Sequence, residues 1–265
     1  MQIKKSLGQH FLHSEQIIKN IVDTANVSAN DTILEIGPGE GDMTEILSNF
    51  AGKLIAIEKD HRLIPILEEK FKAKIKSGNI ILVEGDILEF DIKKLILNNK
   101  KYKIVANIPY YITGQIIRIF LESKEQPESM TLLVQKEVAE RIVARDKKES
   151  LLSISVKIFG TPIYIKTVGR GAFTPHPNVD SAIIHIKDIS KLKLHGLDEK
   201  FFFKIIHAGF AHKRKQLLPN LTDLYERKLL IKIFEECKID QKSRSEDVSL
   251  NKWLELCNLL QTIVE

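Results

Sequence analysis

The sequence predicts a doubly wound parallel α/β sheet followed by a small all-helical domain. Five times over, a short apolar run is followed by apolar residues at helical spacing, the pattern of parallel strands with crossover helices. After Ile186 the strand signals stop, and helical spacing alone continues to the end of the 265 residues. The first strand also shows where a ligand would lie. Thr32–Ile36 ends in Gly37, Pro38, Gly39, Glu40 and Gly41 and runs straight into a helical pattern with Met43, Ile46 and Leu47 on one face. Strand, tight glycine turn and helix in that order make the kind of wall a nucleotide cofactor needs, because glycine permits positive φ and has no Cβ to hold a ligand off. A glycine-rich turn with no ligand is the plain alternative for such a motif on its own.

In chain order, residues 1–12 are a polar, basic arm, and Ser14 and Glu15 open a helix with Ile17, Ile18, Ile21 and Val22 at helical spacing. The strands expected next are Thr32–Ile36, Lys53–Ile57, Ile80–Val83, Tyr102–Ala106 and Met130–Val134. Their helices are expected over Asp42–Asn49, Arg62–Phe71, near Ile92–Leu97, over Gln115–Leu121 and over Lys136–Ala144. Two further strands, near Ile154–Phe159 and Ala182–Ile186, close the sheet. Gly169, Gly171, Pro175 and Pro177 between them mark a loop. The composition shift after Ile186 places a domain boundary there, giving domains over 1–187 and 188–265.

Composition narrows the class. Hydrophobic content of 43% is that of an ordinary globular protein. Net charge is +5, and residues 187–220 alone hold eight lysines and arginines against three acids. An anionic partner fits that stretch, with Lys213, Arg214 and Lys215 as candidate phosphate contacts in a helix beginning near Phe201; a solvated helix face is the plain alternative. Cys237 and Cys257 stand far apart and read as free thiols in a reducing compartment. The first residues lack the apolar core of a signal peptide, and no run approaches the ~18 apolar residues of a membrane span. The histidines show no metal-ligand spacing. The expectation is a cytoplasmic monomer with no metal and no membrane partner.

Candidate site residues fall at strand ends, where open α/β sheets bind ligands. Gly37 and Gly39 end the first strand. Glu58 ends the second, where a carboxylate can accept both hydroxyls of a ribose. Asp86 follows the third and can accept from an adenine amine. Asn107, Ile108, Pro109 and Tyr110 end the fourth. An exocyclic amine on a base is a poor nucleophile because its lone pair is delocalised into the ring. A side-chain amide oxygen and a backbone carbonyl can accept its two N–H bonds and present the nitrogen to an incoming methyl group. Pro109 fixes the turn, and Tyr110 can stack on the base. No cysteine nucleophile lies near these motifs, so direct transfer to an amine is expected.

The spacing Glu35, Gly37, Gly39, Gly41, with an acid ending the next strand, resembles the S-adenosylmethionine (SAM) site of class I methyltransferases, a Rossmann-like fold. An NAD site would want glycine at position 42, which is Asp42. Asn107–Tyr110 resembles the amine-methyltransferase motif of the rRNA adenine dimethyltransferases, and five further stretches resemble the same family: Leu7–Leu12, Val134–Arg141, Phe173–Ser181, Phe210–Leu217 and Arg244–Leu250. Val179–Ser181, Lys213–Lys215 and Arg244–Asp247 resemble the branch that dimethylates adjacent adenosines near the 3′ end of small-subunit (16S) rRNA. The chain departs from the family where Glu149 and Ser150 replace the usual Tyr-Gly, and where His10 replaces a common Asn.

The resemblance implies SAM as methyl donor, held by His10, Leu12, Gly37, Glu58, Asp86 and Asn107. It implies target-base contacts from Asn107, Pro109 and Tyr110, with Phe173 as a second aromatic wall. His10 and Leu12 rest on it alone. The implied partner is small-subunit rRNA in the assembling 30S subunit, and the implied role is ribosome biogenesis. The alternatives are the large-subunit enzyme of macrolide resistance and a non-catalytic rRNA-binding assembly factor.

Overall fold

A computed structural model of the chain describes residues 10–90 and 101–264. The helix expected near Ile92–Leu97 and the start of the arm, including Leu7, lie outside them. The chain forms two compact units. One runs to Ala139 and resumes over Gly160–Ile189; the other takes Glu140–Phe159 and Ser190–Glu265.

The elements of the first half are β1 (Phe11–Leu12), α1 (Glu15–Ala25), β2 (Thr32–Ile36), α2 (Asp42–Phe50), β3 (Lys53–Glu58), α3 (Ile64–Lys70), α4 (Lys72–Lys76), β4 (Ile80–Glu84), β5 (Lys103–Asn107), α5 (Thr113–Glu122), β6 (Ser129–Gln135) and α6 (Lys136–Val143). Then come α7 (Leu151–Lys157), β7 (Thr161–Val168), β8 (Phe173–Thr174), β9 (Ser181–Lys187), α8 (Glu199–Gly209), α9 (Leu217–Leu221), α10 (Arg227–Glu236) and α11 (Leu250–Val264).

Seven strands form one sheet in the order β4-β3-β2-β5-β6-β9-β7. The pairs from β4 through β6 are parallel. Burial on both faces explains why these strands read as apolar runs rather than alternations: Ile104, Val105 and Ala106 of β5 are all fully buried. α1 adds Ile18, Ile21, Val22 and Ala25 to the same core as Leu47 of α2 and Leu54 of β3. Each of these isoleucine, valine and leucine side chains contributes about 1.5–3 kcal/mol by leaving water.

The sheet is not parallel throughout. β9 pairs antiparallel with both β6 and β7. The segment between β7 and β9 holds no α-helix to carry a parallel crossover, so the chain turns back on itself.

The strand expected at Ile154–Phe159 is instead helix α7. Alternating apolar residues there suit a strand, but Ile154 and Ile158 also suit a helix. The N-terminal cap decides between them. Ser150 Oγ accepts from the Ser153 N–H at 3.1 Å, and Ser153 Oγ accepts from the Ser150 N–H at 2.7 Å. The residues that depart from the family pattern therefore have local work: Glu149 also binds Lys157 Nζ at 2.7 Å. The strand begins only after Gly160, where a Cβ would lie 2.8 Å from the Ile186 side chain. β7 is an edge strand, with Pro162, Lys166 and an irregular register between Tyr164 and Lys166.

In the second unit α8 stops at Gly209, so Lys213, Arg214 and Lys215 lie on an exposed turn and not in a helix. Two buried side chains end the helix by claiming the Gly209 carbonyl: Asn220 Nδ2 at 2.6 Å and the Ser245 hydroxyl. Asn220 Nδ2 also reaches the His212 carbonyl at 3.3 Å. Cys237 and Cys257 are buried free thiols.

Candidate active site

The strand order reverses between β2 and β5, because β3 and β4 lie to one side of β2 and β5 and β6 to the other. A crevice opens outside the carboxyl ends of strands at such a switch point. A cleft lies there, lined by residues that include His10, Phe11, Leu12, Glu35, Gly37, Gly39, Glu58, Lys59, Asp86 and Asn107–Ile112. The strand-end residues singled out in the sequence are brought to one place.

The glycines serve different ends. Gly37 has φ +68° and nothing within 4 Å of where a Cβ would stand, so its backbone forms an open wall of the cleft. Gly41, with φ +86°, would put a Cβ 2.7 Å from the Phe71 ring; it lets the turn pack against α3 and its C-terminal neighbour.

Glu58 is buried and held from both sides. Oε2 accepts from the Gly39 N–H at 3.1 Å and Oε1 from the Asp60 N–H at 2.7 Å. Burial raises its pKa, the two N–H groups oppose the rise, and the Asp60 charge adds to it. Each carboxylate oxygen keeps a second lone pair for a ligand hydroxyl. Asp86 Oδ2 pairs with Lys59 Nζ at 2.5 Å, and Oδ1 accepts from the Leu88 N–H at 3.0 Å. Burial pushes its pKa up, but the Lys59 ammonium and the Leu88 N–H outweigh it, and the carboxyl titrates below its usual range.

Glu35, which the sequence placed in the glycine motif without a role of its own, also lines the cleft. It is fully buried in β2, and neither carboxyl oxygen has a hydrogen-bond partner. Burial, with the Glu58 charge adding to it, pushes its pKa up to about 8. An acid inside an apolar strand run was the signal available for it.

The arm crosses the cleft because β1 pairs antiparallel with β8, setting Phe11 opposite Thr174 and Leu12 opposite Phe173. His10 is fixed by three contacts. Its Nδ1 lies 2.8 Å from the Pro175 carbonyl, its ring stacks on Tyr110 at 5.6 Å, and its own carbonyl accepts from Asn107 Nδ2 at 3.1 Å. The imidazole thus keeps a hydrogen-bonding role at this position, through Nδ1 to the Pro175 carbonyl. Asn107 Oδ1 has no partner among the described residues, so the amide offers an acceptor. The Tyr110 hydroxyl bonds Ser181 Oγ at 2.6 Å.

Phe173 does not stand as an aromatic wall. Its ring is 1% exposed and packs in the core with Leu12, Val168 and Ile183. Pairing of β8 with β1 draws the residue inward, so it supports the arm from behind. Tyr111, which the sequence reading did not select, lines the cleft and is 59% exposed.

Among the described residues, no group of three or more His, Cys, Asp or Glu side chains is placed to hold a metal ion. No helix among them is long and apolar enough to cross a membrane.

The chain matches the family model described as ribosomal RNA adenine dimethylase over residues 1–262. A protein of Dehalococcoides mccartyi named Ribosomal RNA small subunit methyltransferase A is 40% identical over 259 residues, which cover 97% of this chain and 88% of that one. A Fusobacterium nucleatum protein of the same name is 39% identical, with 97% of each chain covered. Among solved structures, the 23S rRNA methyltransferase ErmE is similar at a TM-score of 0.78 and 26% identity, over 95% of this chain and 99% of that one.

Proposed function

Because the chain belongs to the ribosomal RNA adenine dimethylase family, we propose that it dimethylates the exocyclic amines of two adjacent adenosines near the 3′ end of small-subunit rRNA. The observation that carries the reading is the placement of Asn107. Its Nδ2 is spent on the His10 carbonyl, and its Oδ1 is left as an acceptor beside the glycine wall.

The cleft suits SAM. Gly37 offers bare backbone, Glu58 two carboxylate oxygens for ribose hydroxyls, and Asp86 an ionised acceptor for the adenine amine, while Gly39, His10 and Leu12 close the wall around them. When bound, SAM supplies a methyl carried on a sulfonium, which leaves as a neutral thioether, and each methylated amine gives up one proton to solvent. The chain's own residues position the acceptor. Asn107 Oδ1 and the Ile108 carbonyl accept the two N–H bonds of the adenine amine, turning its lone pair toward the donor. Pro109 holds that turn, and the Tyr110 ring packs against the base. Positioning of this kind supplies most of the rate, since no covalent intermediate with the protein is needed.

The second unit contributes the phosphate contacts, through Lys213, Arg214 and Lys215 on their exposed turn. The acceptor is rRNA within the assembling 30S subunit, and the protein works as a cytoplasmic monomer in ribosome biogenesis. The test is incubation with labelled SAM and either unmethylated small subunits or large subunits. Label on small-subunit rRNA supports the reading. Label on large-subunit rRNA moves the chain to the resistance branch, and label on neither leaves a non-catalytic assembly factor.

A further inference from the structure

We infer that Tyr111 stacks on the base next to the one being methylated, and so positions the acceptor strand at the mouth of the cleft. The inference rests on the function proposed above. The other aromatic rings that line the cleft already have a partner within the protein, and the remaining face of Tyr110 is taken by the target base in the reading above. Tyr110 stacks on His10 with an interplanar angle of 24°, and its hydroxyl is bonded to Ser181. Phe11 lies across Gly39, 3.1 Å from where a Cβ would stand. Phe173 is in the core. Tyr111 alone has no ring against it and no hydrogen bond among the described residues, yet it lines the same cleft.

The ring is exposed on a firm support. Residues Tyr110–Ile112 form a single 3-10 turn, closed by the Ile112 N–H on the Pro109 carbonyl at 3.2 Å and anchored by the buried Ile112 side chain. An aromatic face on a rigid turn loses little entropy when a base settles on it. Lys59, held by Asp86, lines the same cleft. A cleft that offers both a π face and a positive charge suits a nucleotide, which brings a base and a phosphate together. Two adjacent adenosines are modified. While one amine is at Asn107, the neighbouring base has to lie at the mouth of the cleft, where the exposed Tyr111 stands.

The test compares Tyr111→Ala and Tyr111→Phe with the unaltered protein on unmethylated small subunits. KM for the subunit, kcat, SAM affinity and thermal midpoint are all measured. Because the side chain is exposed, both variants should fold. Tyr111→Ala should raise KM for the subunit about 5- to 150-fold, the worth of one lost base stack. It should leave SAM affinity unchanged and kcat less affected than KM. Tyr111→Phe should behave as wild type. An unchanged KM in the alanine variant, or an equal loss in the phenylalanine variant, overturns the inference while the functional reading stands. Failure of the unaltered protein to methylate small subunits overturns both.

Discussion

Asn107 Nδ2 donates to the His10 carbonyl at 3.1 Å, joining residues 97 apart in the chain. One side chain thus ties the end of β5 to the arm over the cleft, and in the proposed mechanism it also offers an acceptor to the reacting amine. Asn107→Ala removes both functions. Methyl transfer should fall roughly 100-fold or more, the effect of misplacing the reacting groups. Losing one part-buried hydrogen bond should cost about 0.5–1.5 kcal/mol of stability, so the thermal midpoint should drop by only ~2–6 °C. Some loss of SAM affinity is expected. A folded variant that dimethylates at near the wild-type rate would remove Asn107 from the mechanism.

Glu58 pins two backbone N–H groups, Gly39 and Asp60, and lines the cleft. Glu58→Ala should weaken SAM binding by about 1.5–3 kcal/mol, the usual worth of hydrogen bonds to a charged group. Affinity for rRNA should not change. Calorimetric titration of each ligand separates the two, and unaltered SAM affinity would take Glu58 out of the site.

Glu35 makes stability depend on pH. Its carboxyl titrates at about 8 in the folded chain against an ordinary 4.5. Between those values the unfolded chain has released the proton and the folded chain still holds it. The stability it contributes is therefore complete below the lower value and is lost as pH rises to the upper one, by at most about 1.4 kcal/mol per pH unit. Glu35→Gln removes that slope. Urea unfolding at pH 5, 7 and 9 should show the variant gaining on wild type as pH rises. A constant difference across the series would mean that Glu35 is already ionised in the folded protein.

Lys213, Arg214 and Lys215 are all exposed on the turn after α8. Neutralising all three should weaken rRNA binding at low salt and flatten its salt dependence. Three phosphate contacts correspond to a change of about 2 to 3 in the slope of log K against log salt. SAM affinity should stay the same. Parallel lines of equal affinity would reduce the cluster to a solvated surface, and phosphate binding would have to be sought elsewhere, in the first instance around Lys4 and Lys5.

The five parallel strands and the glycine turn were legible because strands buried on both faces leave apolar runs, and because a backbone wall needs glycine at set places. Asn107, Glu58 and Asp86 were legible because polar residues directly after such runs fall at strand ends. Ile154–Phe159 fits both periods, and only the Ser150–Ser153 cap decides for helix. The burial of Phe173 depends on pairing between β1 and β8, segments far apart in the chain, which no local pattern reports. The same holds for Tyr110 and Tyr111: adjacent and chemically identical, one is fastened by His10 and Ser181 and the other is left open. The helix carrying the basic cluster was extended too far because Gly209 is ended by Asn220 and Ser245, side chains that sequence spacing does not connect to it.

The most direct measurement is mass mapping of the methylated nucleosides in small-subunit rRNA. Unmethylated small subunits are incubated with SAM and either the unaltered protein or Asn107→Ala. The unaltered protein should yield N6,N6-dimethyladenosine at two adjacent positions near the 3′ end of the rRNA, and Asn107→Ala should yield neither. Methyl groups on another nucleoside, on a ring carbon, or at the same two adenosines in both samples would contradict transfer to an amine oriented by Asn107.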